Sequence, residues 1–185
     1  MIKQVLKEAD DRMHKAVEVV RQELVKIRTG KATTALLDSI KVDYYGTMTQ
    51  LSHIANVSVM DVHTLTVQPY EKGMLEPIQK AIQTANLGLN PLREADIIRI
   101  PIPPPNEERR RELVKLTKKF GEDGKIAIRN IRRDTLEHLK KSEKAEHFSE
   151  DERKRGEAEV QKMTDRFTKD VDTLLHQKEK EIMEV

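Results

Sequence analysis

The 185-residue sequence contains no cysteine and no tryptophan, and only 3% of its residues are aromatic. Without cysteine the chain can form neither disulfides nor thiolate metal sites, and it has no thiol nucleophile. So few aromatic side chains favour slender helical packing over a thick globular core. No run approaches the roughly 20 apolar residues of a membrane span, and the charged N-terminus lacks a secretory signal's apolar segment. These absences predict a cytoplasmic protein with no membrane partner.

Motifs for catalysis and for cofactors are also missing. The sequence has neither a GxxxxGK[ST] phosphate loop nor a GxGxxG dinucleotide fingerprint. Its six histidines are scattered, and the nearest approach to a metal site, Asp61-x-His63 in a predicted strand or turn, is better explained by a surface histidine. We therefore predict no enzyme activity, no cofactor and no metal site, so that any energy the protein uses must come from a partner.

The stretch from Asn106 to Lys141 carries the most informative pattern. At roughly 100° per residue, a helical wheel of residues 111–133 places six cations within about 60° of Arg129. Between Arg111 and Arg133 only one acid, Glu122, lies near this axis, although the net charge of the chain is only +2. An ordinary solvated helix face is one explanation; the other is phosphate contact, because arginine forks onto phosphate oxygens. We call these residues the basic face: Arg111, Lys115, Lys118, Lys125, Arg129, Arg132 and Arg133.

With so few exposed aromatics, the basic face suits the backbone of folded RNA better than stacked single strands.

The opposite side of the same helix is predicted to pack on protein. Gly121 and Gly124 would weaken the helix by about 1 kcal/mol each relative to alanine. Either a closely packed neighbouring helix or a local bend would explain Gly124. The predicted apolar face, within about 40° of the opposite pole, comprises Leu113, Leu116, Phe120, Ala127 and Ile131.

Two further long helices are predicted from apolar spacing and capping. Met1–Arg28 has a seven-residue apolar repeat that is typical of a bundle. Ser149 and Glu152 form a capping box before a last helix that runs to about Met183. The stretch between the first two helices has period-two patterns typical of strands, with a short helix predicted at Pro77–Ala85.

These elements predict an α+β protein of two domains. Residues 1–29 and 106–185 would form a long three-helix bundle, and residues 31–104 an inserted small β/α/β domain. Gly30 suits the left-handed conformation that often ends a helix, and Asn106 suits an N-cap. A hinge is predicted at 29–31 and 103–106, where it comprises Thr29, Gly30, Lys31, Pro103, Pro104, Pro105 and Asn106.

Several motifs, in the same order along the chain, resemble the ribosome recycling factor family. Together they span essentially the whole sequence. Many members have prolines where this chain has Met48 and Gln50, and arginine where it has Lys31. The motifs are IRTGKA (27–32), LLDSIKVDYYGT (36–47), LGLNP (87–91), IRIPIPP (98–104), EERRREL (107–113) and IRNIRRD (128–134).

The resemblance implies an L-shaped, tRNA-like molecule. It implies a bacterial monomer that binds the large ribosomal subunit, not DNA, after termination. With elongation factor G and its GTP hydrolysis, the factor would then split the ribosome into subunits. The family's arginines correspond here to Arg110, Arg129, Arg132 and Arg133. With Lys125 from the basic face, they are the candidate ribosomal-RNA-binding residues.

Two other interpretations follow from the residues. A helical coiled-coil adaptor or scaffold would recruit a protein partner through the inserted domain. An enzyme in the insert would need a polar pocket around Tyr44, Tyr45 and His63.

Overall fold

The computed structural model describes residues 2–145 and 148–184 and divides into two compact units. The helical unit comprises Met1–Arg28 and Glu107–Val185, and the inserted unit comprises Thr29–Asn106. Short 3₁₀ turns lie at Thr34–Leu37 and Lys72–Met74. In chain order the elements are α1 (Ile2–Val25), β1 (Lys41–Tyr44), β2 (Thr47–Gln50), α2 (Leu51–Ile54), β3 (Ala55–Asp61), β4 (Thr64–Pro69), α3 (Leu75–Thr84), β5 (Leu92–Glu94), β6 (Ile97–Pro101), α4 (Glu107–Lys144) and α5 (Glu150–Met183).

The helical unit is built from α1, α4 and α5, which pack on one another. The prediction that α1 continues to Arg28 was wrong, because the helix ends at Val25 and the amide of Ile27 donates to the carbonyl of Leu24 in a turn (3.2 Å). Its apolar repeat nevertheless lies in the core as expected, and Val5 joins it. The capping box of α5 is confirmed: Ser149 Oγ accepts from the amide of Glu152, and the Glu152 carboxylate accepts from the amide of Ser149.

The buried face of α4 differs from the predicted apolar face. Its centre is rotated by about 60° on the wheel, and Leu116 is 38% exposed. The reason is that α4 contacts both α1 and α5, and its crossings use small and hydroxylated residues that hydropathy does not mark. The hydroxyls of buried Thr117 and Thr135 donate to carbonyls one turn earlier, each at 2.8 Å. The buried positions are Leu113, Thr117, Gly121, Gly124, Ile128, Ile131, Thr135, Leu139 and Ser142.

Close helix packing, and not a bend, explains both glycines of α4. A Cβ atom on Gly124 would lie 2.3 Å from Cγ2 of Val20 in α1. A Cβ on Gly121 would lie 2.2 Å from Cδ1 of Leu175 in α5. Because α4 runs unbroken through both positions, the glycines admit neighbouring side chains and do not interrupt the helix.

The inserted unit contains a four-stranded antiparallel sheet in the order β3-β4-β6-β5 and a separate antiparallel β1-β2 hairpin. The strands expected around Val42, Val57, Val67 and Ile100 are present, which agrees with the predicted α+β class. The sequence did not predict β2 and β5, because the exposed stretches TMTQ and LRE lack an apolar alternation. The short helix begins at Leu75, two residues before Pro77.

Candidate nucleic-acid interface

Four cations of α4 surround one open depression on the helical unit. Arg129, Arg132 and Arg133 project from consecutive turns, and Lys140 follows two turns later on the same side of the helix. The remaining lining residues are Asn130, Leu136 and Glu137. The structure therefore brings together three of the predicted arginines and adds one lysine.

Among the described residues, Arg132 and Arg133 form hydrogen bonds only with neutral side chains. Arg132 Nη1 donates to Gln161 Oε1 on α5 (3.3 Å), and Arg133 Nη2 donates to Asn130 Oδ1 (3.4 Å). Both bonds are long and leave several guanidinium N–H groups of each arginine for other partners. These two guanidinium groups are thus well placed to donate to phosphate oxygens.

Arg129 and Lys125 each have an acidic partner in the structure. Arg129 Nη2 lies 2.6 Å from Glu122 Oε1, and both side chains are about half exposed. Lys125 pairs with Asp172 of α5, and its side chain is only 23% exposed. The sequence showed Glu122 but could not show Asp172, because that carboxylate arrives from another helix. Exposed ion pairs contribute little to stability, so an incoming phosphate could replace Glu122 at modest cost.

Arg110 lies outside the depression. It is half-buried, and its buried Nε atom has no hydrogen-bond partner among residues 2–145 and 148–184. On the wheel it lies about 100° from the axis of the basic face, on the side that α4 buries. The structure therefore does not bring Arg110 together with Arg129 and Arg132.

The outer ends of the basic face differ in their partners. Arg111 is paired with Glu107, whereas Lys115 and Lys118 are exposed and have no hydrogen bond or ion pair to another described residue. Lys140 was missed by the sequence prediction, although it lies 11 residues after Arg129 and thus about 20° away on the wheel. Glu137 is held by Lys141 (2.7 Å), which lowers its pKa with a further contribution from Arg133.

In the inserted unit, the three residues around which an enzyme would need a pocket do not all share the same partner. The hydroxyls of Tyr44 and Tyr45 both donate to the Glu71 carboxylate, at 2.5 and 2.7 Å. The hydrogen bond from Tyr44 is the largest cause of a lowered pKa of Glu71, followed by the bond from Tyr45. The carboxylate in turn raises the pKa of each tyrosine. His63 instead contacts the carbonyl of Gly30 (2.9 Å). The three candidate residues therefore serve two different sites.

The residues of the predicted hinge lie close together within the inserted unit. Gly30 has φ of +78°, and a Cβ atom there would lie 2.4 Å from Cδ of Pro105. The same atom would lie 3.3 Å from Cα of Pro104 and 3.4 Å from the carbonyl oxygen of Pro103. Gly30 therefore does not cap α1; it lets the outgoing chain pack against the returning prolines.

Within residues 2–145 and 148–184, no group of three or more His, Asp or Glu side chains is arranged to hold a metal ion. None of the helices in these ranges has the length and apolar character of a membrane span.

The long helices, the inserted unit and the cationic depression together define a two-unit α+β binding protein. Residues 20–183 match the family model for ribosome recycling factor. The chain belongs to the ribosome recycling factor family.

Individual relatives match over the full length. The chain is 51% identical over 181 residues to the ribosome-recycling factor of Ralstonia pickettii (strain 12J), covering 98% of this chain and 97% of that protein. A solution structure of ribosome recycling factor superposes with a TM-score of 0.74 at 39% identity, covering 100% and 98% of the two chains. Another structure, with a TM-score of 0.63, 46% identity and 100% coverage of both chains, represents T. thermophilus ribosome recycling factor and E. coli elongation factor G bound to the E. coli post-termination complex.

Proposed function

We propose that this protein binds the large ribosomal subunit after termination and, with elongation factor G and GTP, splits the post-termination ribosome into subunits. The observation that carries the proposal is the depression in which Arg132 and Arg133 donate hydrogen bonds to the neutral side chains of Gln161 and Asn130. Membership of the family supports it, and so does the relative bound with elongation factor G to a post-termination complex. The full-length matches do not favour the adaptor interpretation.

In this proposal the depression holds phosphates of folded ribosomal RNA. Arg132 and Arg133 are the principal contacts, and Lys140 adds a third cation. Arg129 exchanges its ion pair with Glu122 for one with a phosphate. Lys125 stays paired with Asp172, so it attracts phosphate less than the arginines do. Arg110 would contact a separate RNA segment, because it lies off the axis of the basic face.

The two domains would have different roles. Residues 1–29 and 106–185 would hold the RNA, and residues 31–104 would move relative to them on the connections at 29–31 and 103–106. The protein would act as a monomer in the bacterial cytoplasm, where ribosomes are recycled. It would catalyse no reaction itself, because the GTPase partner supplies the energy, and it would need no cofactor.

The test is co-sedimentation with ribosomes, followed by subunit splitting with and without elongation factor G and GTP. We expect the wild-type protein to pellet with the large subunit and to split ribosomes only when both additions are present. The double variant Arg132→Ala/Arg133→Ala should lose most of the binding. The control Arg93→Ala removes the same kind of charge from exposed β5 in the inserted unit and should bind normally.

The outcomes discriminate between the interpretations. Absence of wild-type co-sedimentation, with stable capture of a protein partner instead, would favour the adaptor. Normal binding by the double arginine variant would show that the RNA contacts lie elsewhere on the protein.

A further inference from the structure

Both connections to the helical unit are hydrogen bonded to one turn of the inserted unit. This turn, Val62–His63, joins β3 to β4. The amide of Ala32, on the outgoing connection, donates to the carbonyl of Val62 (2.7 Å). The amide of Ile102, on the returning connection, donates to the carbonyl of His63 (2.7 Å). One dipeptide therefore accepts a backbone bond from each of the two connections.

The side chain of His63 adds a third bond. Its Nδ1 atom lies 2.9 Å from the carbonyl oxygen of Gly30. Because a carbonyl oxygen can only accept, Nδ1 must carry the proton, which both the neutral tautomer and the imidazolium allow. The turn itself is held by Asp61, whose carboxylate accepts from the amide of His63 (2.9 Å). This bond is the main reason that the pKa of Asp61 is lowered.

The composition of the returning connection explains why these bonds stand where they do. Pro103, Pro104 and Pro105 have no amide hydrogen, so Ile102 is the last backbone donor before Asn106. The prolines are secured instead by packing, because Gly30 leaves no space for a Cβ beside Pro105. Ala32 and Ile102 are themselves buried in the core of the inserted unit. The two connections are thus fastened to the turn and to each other.

We propose that Val62 and His63 are positioning residues that fasten both connections to the inserted unit. Residues 30–32 and 102–105 then move as part of that unit. Since Ile27 is buried in the helical core, the pivot is confined to Arg28–Thr29 and to the junction between Pro105 and α4. The pivot therefore contains fewer residues than the hinge predicted from the sequence at 29–31 and 103–106. Only the consequence for ribosome splitting rests on the proposed function.

The backbone part of the proposal can be tested by amide hydrogen exchange in the free protein. The amides of Ala32 and Ile102 should exchange as slowly as those in the centre of β4 and β6. Exchange at the rate of an unstructured chain at either amide would overturn the proposal.

The side-chain part can be tested by measuring distances between two spin labels. Because the chain has no cysteine, Gln83→Cys on α3 and Asp170→Cys on α5 provide exposed labelling sites without background. His63→Leu should broaden the distance distribution and speed exchange of the Ala32 amide about 3- to 10-fold, the usual net effect of one hydrogen bond. His63→Asn keeps a donor in the place of Nδ1 and should restore both values.

The control is His53→Leu, which alters an exposed histidine of α2 in the same unit and should leave both measurements unchanged. An unchanged distance distribution in His63→Leu, or equal broadening in His63→Leu and His63→Asn, would overturn the role of the imidazole.

Ribosome assays separate this inference from the proposed function. His63→Leu should slow splitting by elongation factor G while leaving affinity for the large subunit within about twofold, because the RNA contacts lie on α4. If the wild-type protein does not split ribosomes, the proposed function fails, and the exchange and distance measurements still decide the fastening of the connections. If His63→Leu splits at the wild-type rate despite a broadened distribution, the positioning role is overturned.

Discussion

The helical unit and the inserted unit obtain their packing in different ways. In the helical unit, small residues such as Gly121, Gly124 and Thr117 lie at the contacts between long helices. In the inserted unit, aliphatic side chains from strands and α3 form the core, and the unit contains all seven prolines and all three tyrosines of the sequence. The helical unit therefore depends on close approach between helices, whereas the inserted unit depends on the backbone conformation of its turns.

The largest effect is expected from filling a helix contact. Gly124→Leu should destabilise the helical unit by about 2–3 kcal/mol, because the new side chain must displace Val20, a stiff β-branched residue in the core. Urea unfolding followed by circular dichroism measures this loss. Gly73→Leu is the matched control, since no atom lies within 4 Å of a Cβ at that position. Similar losses for both variants would contradict the comparison.

The next effect concerns the turns and connections of the inserted unit. Gly30→Ala should cost about 2 kcal/mol, because alanine at φ of +78° is strained and its Cβ overlaps Pro105. Gly46→Ala carries a similar backbone strain at φ of +87° but has open space around the Cβ, so it should cost only about 1 kcal/mol. Unfolding of the inserted unit, followed by amide exchange of its strands, measures the difference. Equal costs would show that the contact with Pro105 adds nothing.

A smaller effect is expected on the cationic surface, where a substitution should change RNA binding and not stability. Arg132→Ala should leave stability nearly unchanged, because the hydrogen bond of Arg132 to Gln161 is long. Binding to the large subunit should weaken, and the slope of log affinity against log salt should fall by about 0.7–0.9 for one lost phosphate contact. Binding measured at several salt concentrations gives both values. An unchanged slope would remove Arg132 from the RNA contacts.

The smallest effect is a pH dependence in the β1-β2 hairpin. Hydrogen bonds from Tyr44 and Tyr45 lower the pKa of Glu71 below its ordinary value of 4.5. A lowered pKa stabilises the folded state above the ordinary value, and this contribution is lost as the pH falls through the folded pKa. Tyrosine ring signals in NMR spectra should therefore change below about pH 4.5. In Glu71→Gln this acid step should disappear, and an identical step in that variant would assign it to another carboxylate.

Local patterns were sufficient for most elements. The seven-residue repeat of α1, the capping box at Ser149 and the alternations around Val67 and Ile100 each depend on neighbours in sequence, and the structure contains all four features. The exposed strands β2 and β5 were missed because a strand that buries nothing leaves no hydrophobic period.

The cationic site was predictable only in part. The helical period placed Arg129, Arg132 and Arg133 on one face, and the structure puts them around one depression. The pairing of Lys125 with Asp172 and of Arg132 with Gln161 was not predictable, because both partners come from α5. The burial of Arg110 Nε likewise follows from the rotation of α4 in the bundle.

By itself the sequence determined the α+β class, the three long helices, the basic face and the family to which the protein belongs. Each of these follows from composition, from spacing along one helix or strand, or from motifs that stand in fixed order. The tertiary structure decided which way α4 faces, which cations are paired, and that one turn, Val62–His63, holds both connections. Those properties arise where distant segments meet, and no periodicity within one segment records what its neighbour will place against it.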